Sequence, residues 1–398
     1  MNRIAAIVLR VLVLAVCGAP LQAQASKATD SRYLYVWTAG ADSLAQDYLA
    51  VYDVRPDSGR YGALVTTVPV GSGGNRPHHT EHALATDHQL FANGFASGRS
   101  WIFDLTDPVR PRIAGAFGDQ AGYSHPHSFL RLPNGNVLAT FQMRHDSTGM
   151  HPGGVAEMTT AGVVVRSSSA AGPGVPDGIR PYSAAIVPSL DRVVTTTTDM
   201  DQKNPHPATE IQVWKLSTLE LLHTVALPPG PQGDENGLTA EPRLLGDGKT
   251  VLVSTFHCGL FLLRGLESEA PSGQLVASFP RKAGTNCAIP VVAGHYWLVT
   301  VPSIPAVVSL DIADPAHPRE VSRVVLDSTD VPHWISLEPN QRRLVLTGYG
   351  TLRNRLLLVT FDPATGALAL DRRFHPADAT RPGFDVNGVP HGAVFSRP

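Results

Sequence analysis

Cysteine, charge and long apolar runs are all scarce in this sequence. Its 398 residues include three cysteines, and charged side chains make up 17% with a formal net charge of −2. So weak a field of either sign leaves no electrostatic case for nucleic acid or an anionic lipid surface as the main partner. Beyond the first residues no stretch is long and apolar enough to cross a bilayer, so no membrane span is expected in the mature protein. There is no G-x-S-x-G, no HExxH, no P-loop and no cysteine pair at zinc spacing, which sets aside the commonest hydrolase, metalloprotease and nucleotide-binding chemistries. Serine, histidine and aspartate are plentiful but show no order that picks out a triad.

The one apolar run opens the chain. MNRIAAIVLRVLVLAVCGAPLQAQAS has a positive start at Arg3, an apolar stretch interrupted by Arg10, and a small-x-small site at Ala23-Gln24-Ala25. Residues 1–25 therefore read as a signal peptide, and the mature protein is expected in the periplasm or outside the cell. A lipoprotein reading through Leu14-Ala15-Val16-Cys17 fits poorly because valine precedes the cysteine. Cleavage removes Cys17 and leaves Cys258 and Cys287, whose number permits a disulfide in an oxidising compartment without demanding one.

Glycine (36) and proline (33) are abundant and evenly spread, as a chain with many turns requires. The order beneath them is a repeat of about 50 residues, a period typical of propellers. One part is a strand, an Asp/Pro turn and a second strand: YLAVYDVRPDSGRYG, SWIFDLTDPVRPRIAG, AVVSLDIADPAHPREVS, LLLVTFDPATGALALD. The other is a proline-led strand, a polar hairpin and another strand, as in SHPHSFLRLPNGNVLATF, RPYSAAIVPSLDRVVTTTT and VPHWISLEPNQRRLVLTGY. Joined, they predict an all-β, seven-bladed β-propeller over residues 33–398. The last inner strand, VPHGAVF, has nothing after it, and the N-terminal strands have no inner strand before them; their pairing closes the ring.

In a propeller the first strand of each blade lines the central channel, so the seven strand starts converge at one end of the axis. They carry His78-His79, His127, Tyr182, Arg243 with Glu241, Ile289-Pro290, His333 and His391. Four of the seven hold histidine in a chain with 16 histidines among 398 residues, where chance predicts fewer than one. Converging imidazoles suit a borderline transition metal such as copper, zinc, iron or nickel, whereas calcium and magnesium prefer oxygen. His78, His79, His127, His333 and His391 are the candidate ligands. The Pro-His register favours His78 and the strand alignment His79. Glu81 and Glu241 are candidate acceptors to orient the rings, with His82 lying further in. The loops on the same face add His257, Cys258 and Cys287, with a disulfide and a channel-facing thiol both open. The alternative to a metal is a ring of histidines bound to water. His145, His151 and His206 read as loop residues, and His88, His223, His295, His317 and His375 as surface.

The stretches YLYVWTAGADSLAQDYLAVYDV, VPVGSGGNRPHHTEH, HPHSFLRLPNGNVLATF, STFHCGLFLL and PHGAVFSRP resemble the selenium-binding protein / methanethiol oxidase family over nearly the whole mature chain. The resemblance implies a seven-bladed propeller and, for the bacterial enzymes, export and copper dependence. It also implies conversion of methanethiol, oxygen and water to formaldehyde, hydrogen sulfide and hydrogen peroxide. The family's paired histidines fall on His78 and His79, the next on His127 and the C-terminal one on His391; His333 joins them by repeat register. The early cysteine-rich stretch linked to selenium binding in animal members is missing, as expected of a divergent bacterial member. The expected function is thus a copper oxidoreductase acting on a small thiol and O2. The alternatives are an iron oxygenase of the carotenoid-cleavage type, which also sets four histidines on a propeller axis, and a non-enzymatic metal-binding or scaffold propeller.

Overall fold

In the computed structural model, residues 30–42, 45–146, 149–200, 206–281, 286–348, 354–374, 384–385 and 388–398 are described, although of residues 145–150 and 384–385 only the backbone is. The expected signal peptide and His375 lie outside them, and so does the side chain of His145. Seven antiparallel sheets follow one another around a ring, each with its first strand innermost. The second to seventh blades begin at Pro77–Thr80, Tyr123–Arg131, Ala184–Val187, Thr239–Leu244, Pro290–Ala293 and Pro332–Leu337. The first blade takes its inner strand from the C-terminus. Val389–Phe395 pairs with Tyr33–Ala39, which continues outward to Tyr48–Asp53 and Leu64–Pro69. The seven-bladed, all-β expectation and its mode of closure are both met. The one helical turn among the described residues is the 3-10 turn Pro188–Leu190. No helix there is long and apolar enough to cross a membrane.

The strand sequences explain the layering. Second and third strands such as Tyr296–Val301 and Ala306–Asp311 are nearly continuous apolar runs, because both of their faces meet neighbouring blades. Outer strands such as Leu64–Pro69 and Arg319–Val325 are largely exposed. The core is accordingly divided into slabs between blades. In one, Trp37 of the first blade lies 5.3 Å from Trp101 and 5.6 Å from Phe103 of the second.

The inner strands are irregular at one recurring place. Against its partner strand, each histidine-bearing inner strand carries an extra residue just after a proline. The shifts fall between Pro77 and Thr80, between Pro126 and Phe129, between Pro332 and Trp334, and opposite Val36 to Thr38 around His391. Proline donates no ladder hydrogen bond and so tolerates the start of a bulge.

On the second strand of five blades, a polar side chain reaches into the next blade. Asn93 accepts from the His79 N–H (2.7 Å) and donates to the Pro126 carbonyl (2.9 Å). Thr140 accepts from the Ser128 N–H (3.1 Å) and donates to the Tyr182 carbonyl (2.8 Å). Thr196 accepts from the Ser183 N–H (3.1 Å) and donates to the Ala240 carbonyl (2.5 Å). Thr300 and Thr347 donate to the carbonyls of His333 (2.8 Å) and His391 (2.7 Å). Each bond satisfies a backbone group that would otherwise be stranded in a buried, low-dielectric setting.

Closure has its own fastening. Arg343 on the second strand of the last blade donates to Glu338 (2.7 Å) and to the Val54 carbonyl, and Glu338 accepts from the Ser31 N–H (2.6 Å). Gly392 lets the closing strand press on its neighbour, since a Cβ there would lie 2.7 Å from the Thr80 nitrogen. Because Glu338 and the Arg343 side chain are almost fully buried, the Glu338→Gln variant leaves an uncompensated cation at the seam. The expected loss is about 3–5 kcal/mol, read as a lower urea midpoint.

Candidate metal centre

The bulges decide where the histidines point. In a regular strand, successive side chains face opposite sides, so one of His78 and His79 would turn away from the axis. Across the bulge both turn inward, buried and stacked at 4.4 Å with ring planes 16° apart. Both rings thus join the cluster, where the Pro-His register favoured His78 and the strand alignment His79. From this pair the rings run on in two directions. His127 lies 4.2 Å from His79 and 5.0 Å from His78. On the other side, His391 lies 4.2 Å from His78, and His333 lies 4.8 Å from His391. All five histidines named from the sequence are gathered in one cluster. Within it, His78, His79 and His127 each bring a ring nitrogen to within 4.8 Å of the others, close enough to share a metal ion.

Burial keeps these rings neutral. Desolvation, reinforced by neighbouring imidazoles, holds His78, His79 and His391 well below the ordinary histidine range. His127 is pushed down to about 3 and His333 to about 4, in both mainly by burial. Neutral imidazole is the ligand form. His127 is further prepared: its Nδ1 lies 2.8 Å from the Tyr182 carbonyl, which can only accept, so the proton sits on Nδ1. Its Nε2 then carries the lone pair, and that atom is buried with no hydrogen-bond partner among the described residues. An orphaned buried acceptor beside two more imidazoles, with no carboxylate in the cluster, fits a nitrogen-loving transition metal.

Tyr182, Ser128, Trp334, Phe95 and Phe256 complete the site without having been singled out as site residues in the sequence. The Tyr182 hydroxyl lies 3.3 Å from His79 Nε2, and Ser128 Oγ lies 3.4 Å from His79 Nδ1 and 3.2 Å from His127 Nδ1. Trp334 meets His79 edge-on at 5.0 Å. Phe95 lies 6.0 Å from His78, and Phe256 lies parallel to His333 at 6.3 Å. RPYS stands in the same repeat register as the Pro-His sequences, and that was the available signal for Tyr182.

The carboxylates expected to orient the rings do otherwise. Glu81 binds Arg131 (2.7 Å) and the Phe91 N–H, and Glu241 binds Arg243 and Ser183 Oγ (both 2.6 Å). Both are buried carboxylates that sit beside arginines, which compensate a buried charge better than an imidazole held neutral can. His82 stacks on the far face of Trp334 (4.3 Å, 4°), and Arg243 donates to its Nε2 (2.9 Å). His82, Glu81, Arg131 and Arg243 line a separate cavity of about 360 Å³. His257 lies against Asp234 (3.1 Å to its carbonyl), outside the cluster. His317 is exposed and paired with Asp314, and His206 faces Glu210 at 3.6 Å.

Cys258 and Cys287 form a disulfide, which removes the free-thiol alternative. The bridge joins the turn after Val251–Thr255 to the segment before Pro290–Ala293. The Cys287 N–H also donates to the Phe256 carbonyl (2.8 Å), so the bridge anchors one wall of the site.

Comparison with known proteins agrees with this picture in part. No family model matches the chain. It is 33% identical over 142 residues to a methanethiol oxidase from a Hyphomicrobium species, covering 34% of this chain and 31% of that one. To a methanethiol oxidase from Ruegeria pomeroyi it is 31% identical over 150 residues, covering 33% and 34%. The chain thus matches about a third of the length of these curated relatives, less than the near-complete resemblance expected from the motifs. In fold, a hypothetical selenium-binding protein from Sulfolobus tokodaii matches with a TM-score of 0.75 at 17% identity, covering 93% of this chain and 94% of that one. A periplasmic gluconolactonase from Pseudomonas aeruginosa matches at 0.65 and 15% identity, covering 92% and 99%. The chain is thus similar in sequence to methanethiol oxidases over about a third of its length, and similar in fold to a selenium-binding protein over nearly all of it.

Two outcomes are expected. The bridge closes a loop across a sequence separation of 29, so replacing both cysteines with serine lowers stability by about 3–4 kcal/mol in urea titrations. The second concerns pH. The unfolded chain protonates His127 near 6.5 and the folded chain only near 3, so the metal-free protein loses stability as pH falls below 6.5. At pH 5 this one ring accounts for about 2 kcal/mol. His127→Gln removes that share of the loss between pH 7.5 and pH 5.

Proposed function

We propose that this chain is an exported, copper-dependent oxidoreductase of the methanethiol oxidase type, oxidising a small thiol with O2 at the histidine cluster. One observation carries the reading: His127 has its Nδ1 committed to the Tyr182 carbonyl and its Nε2 lone pair open, beside the inward-facing His78 and His79. That is the pattern of a metal-ligating histidine held by a backbone acceptor on its other nitrogen. The two methanethiol oxidases similar in sequence point to a thiol as substrate.

His78, His79 and His127, with His333 and His391 beside them, would hold the ion. Copper bound there would supply the electron transfer that joins oxidation of a thiol sulfur to reduction of oxygen. The chain's own part is to keep these rings neutral by burial, so that their lone pairs stay available, and to keep the site dry. Phe95, Phe256 and Trp334 are buried apolar walls around the cluster, suited to a substrate with a small hydrocarbon group. A disulfide within the fold supports an oxidising compartment, in line with the leader expected at residues 1–25.

Elemental analysis of protein purified from its native compartment tests the metal, and oxygen uptake with methanethiol tests the reaction. The expected result is about one copper per chain and uptake that falls by at least about a hundredfold in His127→Gln. Iron in place of copper, or retained copper without turnover, would overturn the proposal.

A further inference from the structure

One short turn leads from the surface to the histidine cluster. The inner strand of the second blade starts at Pro77, which pairs with Gly94 at the end of the second strand. Arg76 and Phe95 therefore both lie just beyond that end, and the Phe95 N–H donates to the Arg76 carbonyl (3.0 Å). Exposure falls along this line: Arg76 is exposed, Phe95 is 2% exposed and His78 is fully buried. The Arg76 guanidinium sits over the Phe95 ring, 5.7 Å from its centre. That ring in turn lies 6.0 Å from His78 and 6.1 Å from His127.

The turn is held in a strained form. Arg76 has a left-handed φ of 56°, and so has His125, whose ring lies 5.6 Å from Phe95. Neither is glycine, and each directly precedes a proline, which narrows the choices of the residue before it. The surroundings lock the turn: buried Asp47 accepts from the Asn75 N–H (2.8 Å) and from Asn75 Nδ2 (2.9 Å). The Ala96 N–H donates to the Asn75 carbonyl (3.0 Å). Strain that its surroundings over-determine is found where a side chain has a task. Here it sets a cation beside rings that are held neutral. Burial comes first among the causes that keep His78 and His391 below the ordinary histidine range, and the Arg76 charge is a further one.

We propose that Arg76 is a specificity-determining residue, whose charge favours the approach of a small anion, the thiolate above all, and opposes that of a cation. This rests on the metal reading above and deepens it by naming the charge of the species admitted. The thiolate is the form of sulfur that binds a metal. A fixed charge at the rim of a cleft changes the local concentration and the association rate of charged ligands. Phe95 stands between the guanidinium and the rings, so Arg76 acts through its field.

Ligand binding to the purified protein tests this without relying on turnover. Azide is an anion near neutral pH. Its affinity for the copper-loaded protein, read from the copper(II) absorption spectrum, is expected to fall about three- to tenfold in Arg76→Gln. In Arg76→Lys it stays within about twofold of wild type. Copper(II) uptake by the metal-free protein changes in the opposite sense, becoming about three- to tenfold faster in Arg76→Gln. Carbon monoxide, a neutral ligand of the copper(I) form, binds wild type and both variants within about twofold. The azide and copper differences shrink in about 1 M salt, where the screening length is about 3 Å. Opposite signs for azide and copper separate a charge effect from a damaged site, which would weaken both. Unchanged azide affinity in Arg76→Gln, or weaker azide binding together with slower copper uptake, would overturn the assignment and leave the metal reading standing. Wild-type protein that takes up no copper would overturn the metal reading itself, and this assignment with it.

Discussion

The structure depends on how the inner strands satisfy their backbone at the bulges. Each histidine-bearing inner strand has one residue too many against its partner, and a buried backbone group left unpaired there would cost about 1–3 kcal/mol. Asn93 and Thr140 meet this need by accepting from a bulged N–H and donating to a carbonyl of the following blade. The same contact therefore shapes the inner strand and ties blade to blade. Remove it, and both the ring and the inward aim of the imidazoles lose their support.

The site follows from this constraint. A bulge turns two consecutive residues to one side, which is how His78 and His79 come to stack although a regular strand would separate them. Thr140 and His127 share the Tyr182 carbonyl, so the bond that links two blades also sets the tautomer of a histidine. On the last seam, Thr347 holds the His391 carbonyl and Gly392 allows close approach to the second blade. Chain closure and completion of the histidine cluster are one event, because His391 belongs to the strand that closes the ring.

Much of this was legible beforehand. The Pro-His sequences at 77–78, 126–127, 332–333 and 390–391 stand at the same place in the repeat, and proline before a bulge is what that place requires. The partner signal was also present: Asn93, Thr140, Thr196, Thr300 and Thr347 all lie on second strands. It is faint, since threonine is common in strands and its hydroxyl declares a role only when the neighbouring carbonyl is known. Glu81 and Glu241 misled because sequence proximity to histidine says nothing about which buried arginine is closer in space. Arg131 lies 50 positions from Glu81, and no local rule joins them.

The sequence by itself determined the blade count, the inner strands and which of them carry imidazole. Those are matters of periodicity and local turn chemistry, which act over a few residues. Only the tertiary structure decided that both His78 and His79 face inward, that Cys258 pairs with Cys287, and that Tyr182 reaches His79 from 103 positions away. These depend on register across strands and on contacts between blades. A one-residue change of register reverses which side a residue faces, and it leaves no trace in composition or spacing.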